Sequence, residues 1–406
     1  MEARKVIRPF DNFRVAIIDP SYFFGRSDLL SAIQKSPFEV RVILGGSRMG
    51  KTTVLNGIRL NFLDAENNAP FRAFPVLFDF KRDQPKSLEN FLYLLIRRLK
   101  EAITNSHVDP NSPSNFGQNY HRFLRQLSGA EVGILGIKLN VTNPDKEQSL
   151  TQEDFRQDLV SIIKKLQEKK FEGICLLFDG AEFIIGKDWG KDTLAYLRSL
   201  KDTDTSISSC MGIILSGYRD LKNYRQSGSS PLLNIARIEW LKPLSSLETK
   251  ALISHRCREE KMSLHNEGIK LVIDWAGGHP YLTQQMLNVI FDKFDELQSL
   301  SFQDLVHYLI RKQHDQDFSA WWDGRKSSYG FGEREQAVYL ALSRQRKGTP
   351  ETLAKQVSQS LGEIDDALDV LVGAGVVLQV DDEEYSIGAK LFAEWVTREC
   401  DRAASP

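Results

Sequence analysis

Between about residues 38 and 243, short apolar runs alternate with amphipathic stretches, the pattern of a parallel sheet joined by crossover helices, and the predicted class is α/β. The runs are Val40 to Leu44, Phe74 to Phe80, Ile174 to Phe178, Met211 to Leu215 and Ile235 to Leu241. The central ones lack polar alternation, as strands covered on both faces do, so five strands in one sheet are expected. Residues 87–103, SLENFLYLLIRRLKEAI, place apolar side chains at helical spacing, and 105–119, rich in Asn, Ser and Pro, reads as a surface loop. Residues 132–141 alternate as a hairpin or edge strand does, with Gly133 and Gly136 weakening the pattern.

From 244 to 325 the strand pattern gives way to helical periodicity in SLETKALISHRCREEK, EGIKLVIDWA, PYLTQQMLNVIFDKF and SFQDLVHYLIRKQHD. The stretch 321–332, WWDGRKSSYGFG, is rich in Gly and Ser and reads as a linker. After it come three helical segments, EREQAVYLALSRQ, PETLAKQVS and GEIDDALDVLVGAG, then two short strands, VVLQV and EYSI, around the acidic turn DDEE. Three helices and a hairpin describe a winged helix. The expected domains are a sheet domain at 1–243, a helical, lid-type domain at 244–325 and a winged helix at 331–402, with no internal repeat or heptad run.

A length of 406 residues suits two or three domains, and 41% hydrophobic with 26% charged residues is a globular composition. Fifty-three Lys and Arg against 54 Asp and Glu leave a net charge of −1, so no global field draws the chain to nucleic acid or anionic lipid. The N-terminal MEARKVIRPFDNF has no apolar signal core and nowhere do 18 apolar residues run together, so no membrane association and a cytoplasmic location are expected. Cys175, Cys210, Cys257 and Cys400 lie far apart and read as reduced thiols; His255 and Cys257 are the nearest approach to a ligand pair.

The motif that changes this picture is Gly45-Gly46-Ser47-Arg48-Met49-Gly50-Lys51-Thr52, a full GxxxxGK(S/T) between the strand VRVIL and the helix KTTVLNGIRLNFL. A phosphate chain must be surrounded by backbone N–H groups, and glycine lets the main chain wrap that tightly. The helix start supplies its positive dipole end, Lys51 a point charge, and Thr52 a hydroxyl for Mg²⁺, so residues 45–52 with the following Thr53 are the expected nucleotide-binding set.

In ICLLFDGAE, Asp179 falls at the carboxyl end of an apolar strand, where a parallel sheet opens its ligand crevice, and can hold Mg²⁺ through water together with Thr52. Glu182 is the candidate to polarise the attacking water, because position 180 is not acidic; the alternative is a surface carboxylate. At the tip of GIILSG, Ser216 or Arg219 is placed to sense a γ-phosphate, unless Arg219 instead pairs with Asp220 or Glu182. DGAE has Glu where a GTPase DxxG needs glycine and no NKxD-like motif occurs, so ATP and ADP with Mg²⁺ are the expected ligands.

These segments, FFGRSDLL, GGSRMGKTT, FDGAE, ILSGYRD, GGHPYL and a terminal LFAEWV, together resemble the STAND class of P-loop signal-transduction ATPases, and within it the archaeal-type and bacterial AAA-like ATPases, over nearly the whole chain. The resemblance implies that Pro280 of Gly278-His279-Pro280 packs near the adenine and that the loop at Phe24, Gly25 and Arg26 flanks the same pocket. Gly277 to Pro280 also reads as a helix stop followed by a proline-started helix, a role that can coexist with nucleotide contact. FDGAE is similar to NACHT-type boxes in its small residue after Asp179 but lacks their trailing acid, and no MHD-like triplet appears in the winged helix. Such switches carry an effector or sensor domain and none follows residue 402, so protein partners or self-assembly are expected to supply input and output.

Two function classes follow. The first is a nucleotide-dependent switch that hydrolyses ATP slowly and rearranges its domains; the second is a DNA-associated ATPase of the origin-recognition or transposition-helper kind, gripping a duplex with the winged helix. Residues 331–406 hold 14 acidic against 8 basic residues, and 361–375 contain Glu363, Asp365, Asp366 and Asp369 with no basic residue, which disfavours DNA there. RRLK at 97–100 is the remaining basic patch, and Arg48, Arg82 and Arg219 are candidates for an arginine completing a neighbouring subunit's site. A metabolic kinase or hydrolase would need acceptor-positioning residues, of which the sequence shows no sign.

Overall fold

The computed structural model describes residues 23–64, 71–104, 149–228, 230–261, 263–292, 302–310 and 314–404. The loop expected at 105–119 and the strand pair expected at 132–141 lie outside the described residues. The chain divides into two units: Arg26–Leu44 with Lys51–Glu239, and Met1–Gly25 with Gly45–Gly50 and Trp240–Pro406. The boundary cuts the phosphate-loop motif itself. Residues 45–50 group with the C-terminal half of the chain, whereas Lys51 and Thr52 group with the sheet.

The five expected strands form one sheet: β1 (Val40–Leu44), β2 (Ala73–Asp79), β3 (Gly173–Asp179), β4 (Met211–Gly217) and β5 (Arg237–Trp240), in the order β2-β3-β4-β1-β5. β1 and β4 are buried throughout, as continuous apolar runs predict. Parallel register pairs Leu44 with Gly217, Phe178 with Leu215 and Asp79 with Asp179, so the carboxyl ends of four strands finish along one edge. Because β4 inserts between β1 and β3, its tip separates the strand that feeds the loop from the strand that ends in Asp179.

Two boundaries differ from the sequence reading. Phe80 leaves β2 to begin a single helical turn, Phe80–Asp83, because the Asp79 side chain accepts from the N–H groups of Lys81 and Arg82 and caps it. β5 starts two residues later than the apolar run, leaving Ile235 45% exposed; as an edge strand it needs cover on fewer sides.

Helices α1 (Ser27–Lys35) and α2 (Lys51–Leu63) pack together, with α2 lying over β2, β3 and β4. Helices α3 (Leu88–Thr104), α4 (Gln152–Glu168) and α5 (Asp188–Thr203) pack on one another through α3, which also covers β2. Between α3 and the sheet, Phe91 meets Phe78, Phe80 and Phe178 at ring separations of 5.3, 5.7 and 5.8 Å, an aromatic knot directly beneath the strand tips. Helix α6 (Arg219–Gln226) follows β4, and a short helical turn, Pro231–Asn234, leads from it to β5.

In the other unit, α7 (Ser246–Glu259) begins with a Ser245–Glu248 capping box and packs on α8 (Asn266–Ala276) and α9 (Pro280–Asp292), followed by α10 (Phe302–Tyr308) and α11 (Asp315–Trp322). Beyond lie α12 (Glu333–Gln345), α13 (Pro350–Val357) and α14 (Leu361–Gly373), which pack on one another, and α15 (Lys390–Ala404). Strands β6 (Lys347–Gly348), β7 (Val377–Gln379) and β8 (Tyr385–Ile387) form an antiparallel sheet in the order β6-β8-β7.

The expected linker at 321–332 is a packed turn. Trp321 and Trp322 complete α11, Phe331 N–H donates to Trp321 O at 2.8 Å, and Gly324 N–H donates to Phe331 O at 2.9 Å. Its aromatic residues decide the outcome over its Gly and Ser. Phe331 is buried against Phe392 of α15, whose ring also meets Phe318, Trp321, Tyr339 and Trp395, and this explains the LFAEWV run. Among the described residues no helix is long and apolar enough to cross a membrane.

Truncating Phe91 opens a cavity among three other phenylalanines, so Phe91→Ala is expected to cost about 3–5 kcal/mol of unfolding free energy, measured by denaturant titration. A loss under about 1 kcal/mol contradicts the knot as the sheet unit's main packing centre.

Candidate functional site

At the strand tips of the sheet unit, Asp179 is the point of convergence. Its Oδ2 accepts from the Thr52 hydroxyl at 2.6 Å, and its Oδ1 accepts from the Ser216 hydroxyl at 2.5 Å and from the Gly180 N–H at 3.1 Å. The strand order makes this possible, since Ser216 rides on β4 beside the end of β3. Two hydroxyls and an amide fix the orientation of the carboxylate. Thr52 and Asp179, the expected magnesium pair, are thus in direct contact.

Lys51, the first residue of α2, is half-buried by exposed area, yet enough protein surrounds its ammonium that desolvation lowers its pKa to about 8. The charges of Glu182 and Asp179 work against that loss and the charge of Lys81 adds to it. Glu182 sits in the turn Ala181–Ile184; at 14% exposure it is not the surface carboxylate of the alternative reading. Its Oε2 lies 3.2 Å from where a Cβ on Gly217 would stand, and its Oε1 meets Lys81 Nζ at 3.4 Å.

Lys81 is the residue that sequence reasoning misses. It follows β2 in the run FDFKRD, which reads as a solvated strand end, and only the β2–β3 register brings it over Gly180 and Glu182. Arg219 begins α6 immediately after the β4 tip, two residues beyond Gly217, and Thr53 lies in the first turn of α2.

In the C-terminal unit, the loop residues 45–50 are held by the segment that follows α14. Gly46 N–H donates to Gly373 O at 2.7 Å, and a Cβ on Gly46 would lie 2.7 Å from Ala374 Cα, so only glycine permits this approach. Met49 is buried beside His279 at the left-handed Gly375 (φ 74°), where a Cβ would stand 2.7 Å from Met49 Sδ and 2.6 Å from His279 Cδ2. Arg48 pairs with Asp317 at 3.4 Å and lies 4.1 Å above the Tyr281 ring. Ser47 and Gly50 complete the loop, with Gly50 at φ 90°.

Pro280 is the first residue of α9, after a left-handed Gly277 that ends α8, so the helix-stop reading holds locally. Leu244 N–H donates to Gly278 O at 2.9 Å, and the side chains of Leu244 and Glu248 also crowd Gly25, while Phe24 meets the His255 ring at 5.3 Å. The two loops that the resemblance assigns to one pocket therefore converge on Leu244.

The other basic candidates are engaged. In RRLK, Arg97 pairs with Glu101 at 3.3 Å, Arg98 with Asp83 and Glu101, and Lys100 with Asp158 at 3.8 Å. Arg82 pairs with Asp83 at 3.2 Å. Among the described residues no group of three or more His, Cys, Asp or Glu gathers as a metal cage, and His255 pairs with Glu259 at 3.5 Å. One carboxylate and one hydroxyl are nonetheless the hard oxygen donors that suit Mg²⁺, which keeps most of its shell as water and phosphate.

No protein-family model and no curated protein matches this sequence. Among solved structures, a Walker-type ATPase of Pyrococcus abyssi is similar at 16% identity and a TM-score of 0.57, covering 96% of this chain and 99% of its own. The Aeropyrum pernix ORC2 protein, solved as ADPNP-ADP complexes, aligns at 11% identity and a TM-score of 0.44 over 96% of this chain and 98% of its own. Cdc6p from Pyrobaculum aerophilum aligns at 12% and 0.42 over 95% and 97%. The first likeness shows the fold, and the two lower scores add nothing to it. The fold is that of an α/β P-loop nucleoside-triphosphatase with an additional helical part.

A lysine with its pKa lowered to about 8 is charged below that pH and neutral above it. Affinity for a nucleoside triphosphate is therefore expected to fall about tenfold per unit as pH rises above 8, measured by calorimetric titration, until the complex itself titrates. Lys51→Arg, which stays charged, should lack this fall; a flat wild-type profile to pH 9.5 contradicts the assignment.

Proposed function

We propose that this chain is a STAND-type switch: it binds ATP and ADP with Mg²⁺, hydrolyses ATP slowly, and passes the state of its phosphate loop to its C-terminal unit. The observation that carries this reading is the set of contacts that hold residues 46–49, made by Gly373, His279, Tyr281 and Asp317. A loop that must close around phosphates cannot do so without acting on groups bonded to it.

In this reading residues 45–53 hold the phosphates, with Lys51 as the charge whose pKa an anion would raise again. Thr52 and Asp179 would hold Mg²⁺, which neutralises developing phosphate charge when bound. Glu182, steadied by Lys81, accepts a proton from the attacking water, and Ser216 keeps Asp179 turned toward Thr52. Arg219 follows the β4 tip as the sensing cation, and Pro280 lines the base side where the Gly25 and Gly278 loops meet Leu244.

Residues 331–402 form the winged helix in this reading, supported by α12 to α14 and the three-stranded β6-β8-β7 sheet. It meets protein, whether a partner or a second copy, better than DNA. The acidic helix α14 offers a duplex no cation, Glu363 is already paired with Arg334 at 2.7 Å, and Arg97, Arg98 and Lys100 each lie beside a carboxylate of this chain. The DNA-associated reading therefore has no observation of its own here.

Lys51→Ala is expected to lose ATP binding altogether, while Glu182→Gln keeps the affinity and loses turnover by a factor on the order of 100 or more, read by calorimetry and phosphate release. Undiminished turnover in Glu182→Gln removes it from the mechanism. Light scattering is expected to show a nucleotide-dependent change between ADP and a non-hydrolysable ATP analogue without duplex DNA; a change that needs the duplex favours the DNA reading instead.

A further inference from the structure

Arg48 occupies a backbone conformation that its residue type disfavours. Its φ is 61°, in the left-handed region, where any side chain beyond hydrogen crowds the main chain. Glycine would be at ease there and arginine is not, so something outside the loop must keep it in place.

The structure shows what does. The guanidinium lies 4.1 Å above the centroid of the Tyr281 ring and its Nη2 is 3.4 Å from Asp317 Oδ1. The other carboxylate oxygen, Oδ2, accepts from the Tyr281 hydroxyl at 2.8 Å, and Gln285 Nε2 donates to that hydroxyl at 3.3 Å. His314, fully buried, stands with Nδ1 3.7 Å from Asp317 Oδ2 and its ring 5.6 Å from that of Tyr281. Each member is thus fixed by another. Burial opposes the charge on Asp317, but the nearby His314 ring, the hydrogen bond from Tyr281 and the charge of Arg48 outweigh it and lower its pKa, so the carboxylate stays ionised.

We infer that Asp317 and Tyr281 are positioning residues for the phosphate loop: by clamping Arg48 they hold residues 46–50 in the conformation that receives a nucleotide. The inference rests on the nucleotide-binding reading for its consequence, though the clamp itself is made by this chain's own residues. The peptide planes on either side of residue 48 turn with its φ and ψ. Released from the clamp, Arg48 relaxes toward the common negative φ and the neighbouring amides lose their shared orientation. Nucleotide binding must then reorder them and loses affinity accordingly. Arg48 is 43% exposed and Asp317 25%, so the effect is modest, about five- to tenfold in dissociation constant.

The test is a cycle in the full chain with two readouts. Asp317→Asn and Tyr281→Leu should each weaken ATP binding about five- to tenfold, while Tyr281→Phe, which keeps the ring under the guanidinium, should weaken it less. Amide hydrogen exchange at 46–50 without nucleotide should quicken in the same order. Glycine accepts a φ of 61° unaided, so whatever Arg48→Gly does alone, adding Asp317→Asn to it should change affinity and exchange less than about twofold. If Asp317→Asn acts equally with and without Arg48, or leaves exchange at 46–50 unchanged, the clamp is refuted. If the wild type binds no ATP yet the exchange pattern holds, the clamp stands and the nucleotide reading falls. Thermal melting of each variant separates a loss of fold from a loss of positioning.

Discussion

The 2.7 Å hydrogen bond from Gly46 N–H to Gly373 O joins two stretches of main chain more than three hundred residues apart, and neither stretch is free to move alone. It requires a glycine at 46, because any side chain would strike Ala374. The same turn after α14 packs Gly375 onto Met49 and His279, and His279 stacks on Trp321 at 5.1 Å. From Trp321 the packing continues into the aromatic cluster around Phe392 that holds α11 and α15 together. The phosphate-type loop is therefore continuous with the core of the C-terminal unit. This continuity, rather than any one charged residue, is what supports the switch proposed above.

In the sheet unit the corresponding constraint is strand order. Placing β4 between β1 and β3 puts a hydroxyl next to the carboxylate that ends β3, and the carboxylate is then held from both sides by Thr52 and Ser216. The β2–β3 register adds Lys81, which offsets the carboxylate of Glu182 while lowering the pKa of Lys51 further. The charges gathered at the tips thus act together on Lys51. Burial leaves Lys51 with a depressed pKa, an electrostatic deficit that a polyphosphate would relieve.

Much of this is legible in the sequence because it depends on local pattern. Five apolar runs mark five strands, and helix starts at Lys51, Glu333 and Pro350 follow from the glycine loop and from proline at a first turn. The meeting of Thr52 with Asp179, and of Glu182 with the surroundings of Lys51, is legible because each residue stands at a strand end or soon after it. The linker reading of 321–332 fails because Gly and Ser signal a turn but say nothing of whether Trp321 and Phe331 find a core. Lys81 is invisible because only register brings it to the site. The grip on Gly46 is invisible for a deeper reason: its acceptor is a backbone carbonyl, which every residue possesses. Asp317 carries no motif and meets Arg48 only through tertiary packing.

The account's central claim is that what the loop holds is felt by the turn after α14. The most direct measurement is residue-resolved amide hydrogen exchange over 45–52 and 373–376, with ADP and then with a non-hydrolysable ATP analogue under saturating Mg²⁺. The two segments are expected to change together, with 373–376 exchanging at different rates in the two nucleotide states. Protection of 45–52 by nucleotide while 373–376 exchanges identically in both states would contradict the account.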